Sequence, residues 1–218
     1  MNSLKKLLIT ALSIATLSVA SISAHAADTE APDALVKRIS QEVLDIAKAD
    51  KDIQGGNHKR VLQIVEEKIL PSVDFQRMTS LAAGRYWRDA TPDQQKQLTA
   101  EFRSLLVYTY SGAISQVRDQ KVVFKPMRAA PGDTDVEVRS EVSQSRGEPI
   151  TISYRLEKES SGWKIYDVNV LGAWLVESYK STFSAEITKG GIDGLIKALS
   201  DKNKKLAAAT AARNKSAS

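Results

Sequence analysis

Four stretches decide the fold: KVVFKPM (121–127), DVEVRSEV (135–142), ITISYRLE (150–157) and WKIYDVNV (163–170). In the first three, apolar side chains recur at every second position. Val122 and Phe124 are followed by Val136, Val138 and Val142, and then by Ile150, Ile152, Tyr154 and Leu156. Glu137, Arg139, Glu141, Thr151, Ser153 and Arg155 stand between them. A period of two places alternate side chains on opposite faces of a strand. Pro131-Gly132-Asp133, Arg146-Gly147-Glu148 and Ser160-Ser161-Gly162 supply the turns. The spacing predicts an antiparallel meander of about four strands over approximately 120–171, apolar on one face and polar on the other. The fourth stretch differs. Trp163 and Ile165 share one parity while Tyr166, Val168 and Val170 share the other, so this strand is apolar on both sides or bulged.

On either side of the meander the period returns to 3.6. Leu35, Ile39, Val43, Ile46 and Ala47 mark a helix opened near Pro32 and broken by the polar stretch Asp50 to Asn57. A second helix carries Val61, Leu62, Ile64, Val65 and Ile69 and stops at Pro71, and a short one runs from Asp74 to before Gly84. Thr91-Pro92-Asp93-Gln94 is a strong helix start, with a capping Thr, Pro in the first turn and Gln three residues on. Leu98, Phe102, Leu105, Leu106, Thr109, Ala113 and Val117 then line one helical face, which Tyr110 and Ile114 widen. After the strands, Leu175, Val176, Tyr179 and Phe183 lie on one face, and Gly190-Gly191 separates them from Ile192, Leu195, Ile196 and Leu199. The expected class is α+β, with N-terminal and C-terminal helices packed on the apolar face of one antiparallel sheet. Residues 27–201 form a single domain. The Lys-, Asn-, Ala- and Ser-rich stretch 202–218 has no periodicity and is expected to be a disordered tail.

The amino terminus reads as an address. Lys5 and Lys6 precede an apolar run over 7–17, and Ala24-His25-Ala26 is a small-residue cleavage site, so 1–26 is expected to be a signal peptide cleaved after Ala26. The run is too short and too often interrupted by Ser and Thr to span a bilayer. The whole chain has 31 basic and 26 acidic residues, a formal +5; without Lys5 and Lys6 the excess falls to +3. That excess is too thin and scattered for nucleic-acid binding. The absence of cysteine excludes disulfides, thiolate metal sites, a Cys nucleophile and a lipid-modified cysteine. A periplasmic location follows as the expectation.

The sequence holds little that looks catalytic. Beyond the signal peptide, His58 is the single histidine. It has neither the partners for a multi-histidine metal site nor a G-x-S-x-G elbow for a triad, and it reads as a surface residue. Gly190-Gly191-Ile192-Asp193-Gly194 lacks a preceding strand and a Lys-Ser/Thr pair, so it reads as a break between helices. Glu66-Glu67 and the pair Asp133 and Asp135 have no distinguishing neighbours. No catalytic residue, metal or cofactor is expected.

Two blocks carry a resemblance. The first is Ile69-Leu70-Pro71-Ser72-Val73-Asp74-Phe75, then Gly84-Arg85-Tyr86-Trp87-Arg88 and Thr91-Pro92-Asp93-Gln94-Gln95, with Phe102, Leu106 and Tyr110 downstream. The second runs from Trp163 through Val170-Leu171-Gly172, then Tyr179, Phe183 and Gly191-Ile192-Asp193-Gly194-Leu195-Ile196. In order and spacing they resemble MlaC, the toluene-tolerance family of periplasmic phospholipid-binding proteins, over about residues 30–200. The departure is Ala173-Trp174, where a small hydroxyl residue is expected after the Gly-x step. Trp174 is expected to reshape a cavity wall or its rim.

The resemblance implies a monomeric carrier holding a diacyl phospholipid in an apolar cavity between sheet and helices. Its partners would be an outer-membrane lipoprotein–porin complex and an inner-membrane ABC transporter complex, and its role the maintenance of outer-membrane lipid asymmetry. On that reading the cavity walls are Leu98, Phe102, Leu106 and Tyr110; Val138, Val142, Ile150, Ile152, Tyr154, Leu156 and Val170; and Leu175, Tyr179 and Phe183. Arg85 and Lys125 are the candidates for meeting a phosphate headgroup through a charge-assisted pair.

Elementary energetics permit such a carrier. A two-tailed lipid has roughly 30 methylenes at about 0.8 kcal/mol each, so bare transit through water costs on the order of 20 kcal/mol or more. A dry cavity removes that cost and, being as apolar as the bilayer, leaves loading nearly neutral. Patterning alone is explained more simply by an ordinary solid core, because periodicity does not distinguish a filled interior from a hollow one. The resemblance is what favours the hollow one. A carrier for lipidated proteins and a small exported enzyme stand as the alternatives. A carboxylate on the wall, as in Leu106→Glu or Ile152→Glu, is expected to abolish lipid retention.

Overall fold

The structure, a computed structural model, describes residues 30–216 except 131 and 146. The signal peptide expected over 1–26 lies outside the described residues. The fold is α+β. Helices α1 (Pro32–Ala49), α2 (Lys51–Gln54) and α3 (His58–Ile64) are followed by a π-helical turn at Val65–Ile69 and a short 3-10 turn at Leu70–Ser72. Next come α4 (Phe75–Ala83), a 3-10 turn at Gly84–Asp89, α5 (Pro92–Tyr110) and a 3-10 turn at Ser111–Gln116. Strands β1 (Lys121–Phe124), β2 (Asp135–Ser143), β3 (Ile150–Glu159), β4 (Gly162–Val170) and β5 (Ala173–Trp174) form one sheet, and α6 (Leu175–Ser216) follows it.

Local chemistry places the boundaries. The Asn57 side chain accepts from the Arg60 amide to open α3, and Asp74 accepts from the Arg77 amide to open α4. Thr91 and Gln94 form the full capping box at the start of α5. The long helix expected beyond Thr91 stays α-helical to Tyr110 and then tightens into the 3-10 turn. Asp50 to Asn57, expected as a plain break, holds the short helix α2 instead. Asp50 caps it by accepting from the Asp52 and Ile53 amides, and Ile53 is fully buried.

The sheet is antiparallel throughout, with strands in the order β1-β2-β3-β4-β5. The four expected strands are present; the fifth, two residues long, is too short to show a period. β4 owes its two apolar parities to a bulge. Arg155 pairs with Asp167 but Leu156 pairs with Ile165, which leaves Tyr166 as the extra residue.

Apolar burial falls into two groups. In the first, Leu35, Val36, Ile39, Val43 and Ala47 of α1, Ile53 of α2 and Val61 and Ile64 of α3 pack with Val136, Val138, Leu156 and Ile165 of the sheet. The second is helical: Met78, Ala82 and Ala83 of α4, Leu98, Phe102, Leu105 and Leu106 of α5, and Val176, Phe183, Ile187, Leu195 and Leu199 of α6. Val73 packs against both groups and bridges to Ile165, whose carbonyl accepts from the Asp74 amide at 2.9 Å.

α6 departs from expectation at its far end. The helix is interrupted at Gly190 and Gly191, as the sequence indicates, with Gly191 at φ 67° and ψ −170°, a conformation open to glycine alone. It does not dissolve after Asp201. Residues 202–216 are helical, Asn203 is buried with its amide donating to the Glu101 carbonyl at 2.8 Å, and Leu206 packs against the second core. Alanine and lysine favour the helix even where no apolar stripe repeats.

Candidate functional site

The register of the sheet sorts its apolar face into rows. Val136, Leu156 and Ile165 form one, and Val138, Tyr154 and Val168 the next; both belong to the first core. The following rows do not. Ser140 lies opposite Ile152, which lies opposite Val170, and Val142 lies between Val122 and Ile150. Val122, Val142, Ile150, Ile152 and Val170 are all only partly buried, and none joins either packed group. The polar member of these rows is neutralised: Ser140 is 1% exposed and its hydroxyl donates to the Ile152 carbonyl. One end of the sheet therefore presents an apolar strip, partly buried and outside both cores.

The helical wall expected opposite the sheet behaves differently. Leu98, Phe102, Leu106 and Phe183 are buried in the second core. The Phe102 ring meets Tyr179 and Phe183 edge-on, at centroid distances of 5.0 and 4.9 Å. Leu175 and Tyr179 are half-buried against the same group. Burial, and after it the neighbouring Tyr110, push the Tyr179 phenol up to about 12. Tyr110 itself is 44% exposed. The residues read as one cavity wall thus divide: Val138, Tyr154 and Leu156 lie in the first core, Leu98, Phe102, Leu106, Leu175, Tyr179 and Phe183 in or against the second, Val142, Ile150, Ile152 and Val170 on the open strip, and Tyr110 outside both cores. α5 stands where the cores meet, since its Val107, with Ile114 just beyond it, packs against the first.

The headgroup candidates are not equivalent. Lys125 follows β1 and pairs with Glu141 at 2.8 Å. Its amide donates to the Arg139 carbonyl, so it continues the ladder in the parity of Val123 and Glu141, on the face opposite the strip. Arg85 donates to the Tyr86 hydroxyl at 3.0 Å and lies over that ring, 4.9 Å from its centroid. This bond, with others from Ser184 and Thr188 of α6, lowers the Tyr86 phenol to about 8.

Trp174 is also placed otherwise than expected. It carries the Arg155 guanidinium 3.8 Å from its ring centroid, on the polar side of the sheet, and does not belong to the apolar strip. Arg155 reaches Asp167 at 3.6 Å. Asp167 is 2% exposed and accepts from the Val168 amide at 2.9 Å and the Val176 amide at 3.0 Å, which fastens the first turn of α6 to β4. Burial raises its carboxyl above the ordinary range, against those amides and Arg155. A raised value means the fold favours the protonated acid, so this contribution to stability is present below about pH 4 and is lost as pH rises through the raised value. Asp167→Asn is expected to melt at a higher temperature relative to wild type at pH 7 than at pH 4. Asp167→Ala, which strips both amides of their acceptor, is expected to lose about 1–2 kcal/mol at either pH. Thermal melts of the three proteins check this; parallel pH profiles for wild type and Asp167→Asn would contradict it.

The profile of the family described as MlaC protein matches residues 37–201, from α1 past the break in α6. The chain belongs to the MlaC family. It is 26% identical over 153 residues to the intermembrane phospholipid transport system binding protein MlaC of Haemophilus influenzae, covering 69% of this chain and 71% of that one. It is 24% identical over 165 residues to toluene tolerance protein ttg2D of Pseudomonas putida, covering 75% and 76%. Among solved structures, the phospholipid-binding protein of Ralstonia solanacearum in complex with a phospholipid matches with a TM-score of 0.76 and 49% identity, over 80% of this chain and 98% of that one.

Within this MlaC-family chain, sequence reasoning passed over Val122 as a wall residue, although alternation already put it on the apolar face. Its pairing with Val142 extends the strip to β1. Among the described residues no group of three or more His, Asp or Glu side chains is arranged to hold a metal ion, and no helix is long and apolar enough to cross a membrane.

Proposed function

We propose that this chain is a periplasmic phospholipid carrier that shuttles lipid between an outer-membrane lipoprotein–porin complex and an inner-membrane ABC transporter complex. The observation that carries the reading is the strip of Val122, Val142, Ile150, Ile152 and Val170. It is apolar, in register across four strands, and excluded from both packed cores. An apolar surface of this kind left partly open costs free energy in water, and an acyl chain laid along it recovers that cost at about 25 cal/mol per Å² covered. Membership in the MlaC family, and the phospholipid held by the Ralstonia relative at 49% identity, support the choice of ligand.

Acyl chains laid on the strip would leave the headgroup toward water, with Arg85 the remaining cationic candidate. The site needs no reacting group: it exchanges one apolar surrounding for another, so loading and release are both close to neutral and the direction of transfer is set by the complexes at either end. Mass spectrometry of an organic extract of the purified mature protein tests the reading. Stoichiometric diacyl phospholipid is the expected result. Acylated peptide, or no lipid at all, would overturn it.

A further inference from the structure

The β4–β5 hairpin contains a residue that folding alone does not explain. Its two-residue loop is Leu171-Gly172, between the paired residues Val170 and Ala173. Leu171 has φ 53° and Gly172 φ 89°, so both central residues lie in the left-handed region. Such turns favour Asn-Gly, and a leucine held there is strained relative to glycine. Leu171 is the one non-glycine residue at positive φ among the described residues, and at 70% exposure it offsets little of that strain by packing.

The conformation is nonetheless held firmly. The Leu171 amide donates to the Thr151 carbonyl at 3.2 Å, and the Gly172 amide to the side chain of the buried Asn169 at 2.9 Å. Its position is equally specific. Leu171 follows Val170, which ends the apolar strip opposite Ile152, and precedes by four residues Leu175, where α6 begins.

We propose that Leu171 is the threshold of the lipid path, an apolar step that acyl chains touch as they pass between bilayer and strip. The proposal rests on the carrier reading and adds the port to it. An apolar side chain fixed in the open at the end of an apolar strip shortens the distance over which a chain is exposed to water. It therefore lowers the barrier in both directions and leaves the bound state unchanged. Asparagine and glycine suit the left-handed turn better than leucine, so Leu171→Asn and Leu171→Gly keep the hairpin and remove only the apolar step.

The test loads wild type and variants with a pyrene-labelled diacyl phospholipid and follows release into protein-free phosphatidylethanolamine–phosphatidylglycerol vesicles by stopped-flow fluorescence. Both variants are expected to melt at or above the wild-type temperature and to hold as much lipid at saturation. Both are expected to release it roughly tenfold more slowly, the factor set by losing one leucine's apolar contact at the barrier. Leu171→Met, which stays apolar, is expected to release at close to the wild-type rate. Wild-type release rates in the Asn and Gly variants would overturn the port while leaving the carrier reading intact, as would a defect seen only when a membrane protein complex is added to the vesicles. A wild-type protein that takes up no phospholipid would instead overturn the carrier reading itself.

Discussion

Ile152→Glu is expected to purify as a folded protein that retains less than a tenth of the wild-type phospholipid. Ile152 lies mid-strip, opposite Ser140 on one side and Val170 on the other, partly exposed and outside both cores. A carboxylate there keeps its water in the empty protein, so folding loses little, and Tm should stay within a few degrees of wild type. Laying an acyl chain over it would strip that water without supplying a partner, a penalty of several kcal/mol that far exceeds a tenfold loss in binding. Extracted lipid per protein, measured beside the melt, separates the two effects. Wild-type lipid content in a folded variant would remove Ile152 from the site.

The second large effect falls on stability. Phe102→Ala empties the centre of the helical core, where the ring is fully buried and makes edge contacts to Tyr179 and Phe183. Removing a buried phenylalanine costs about 3–5 kcal/mol, or roughly 6–20 °C in Tm for a domain of this size. Leu106→Glu, at 7% exposure in the same core, should be worse still, because a charge would be buried among α4, α5 and α6. From the sequence, Leu106 and Ile152 look equivalent as wall residues. Their surroundings make them opposites: one substitution is expected to unfold the protein, the other to unload it. A melt of Phe102→Ala within a couple of degrees of wild type would show that the α5 face is hollow after all.

The difference between those two residues shows where sequence reading stops. Alternation in β2 and β3, the Thr91 capping box and the Gly190-Gly191 break are local signals, and each is realised as read. The ambiguity in β4 was itself informative, since two apolar parities in one strand are what a bulge produces. Non-local facts were not legible. Residues 202–216 lack a repeating stripe, yet Asn203 reaches Glu101 across about a hundred residues of chain, and only that docking shows the segment to be ordered. The same holds for the site. Periodicity put Val138 and Ile152 on one face of the sheet, but only the rows that α1 to α3 cover decide that Val138 is core and Ile152 is not. Lys125 shows the converse error. Nearness to a strand end suggested the mouth of a cavity, whereas strand parity turns its side chain to the opposite face, against Glu141. Trp174, expected at a cavity wall or rim, is placed by a contact equally remote in sequence, the Arg155 guanidinium it supports.

The central claim is that acyl chains lie along the open end of the sheet face, and photo-cross-linking tests it most directly. The mature protein, loaded with a diacyl phospholipid bearing a diazirine midway along one chain, would be irradiated, digested and mapped by mass spectrometry. Adducts concentrated in peptides carrying Val142, Ile150, Ile152 and Val170 are the predicted result. Adducts confined to α1 or to the end of α6 beyond Gly191, with the strip unlabelled, would contradict it.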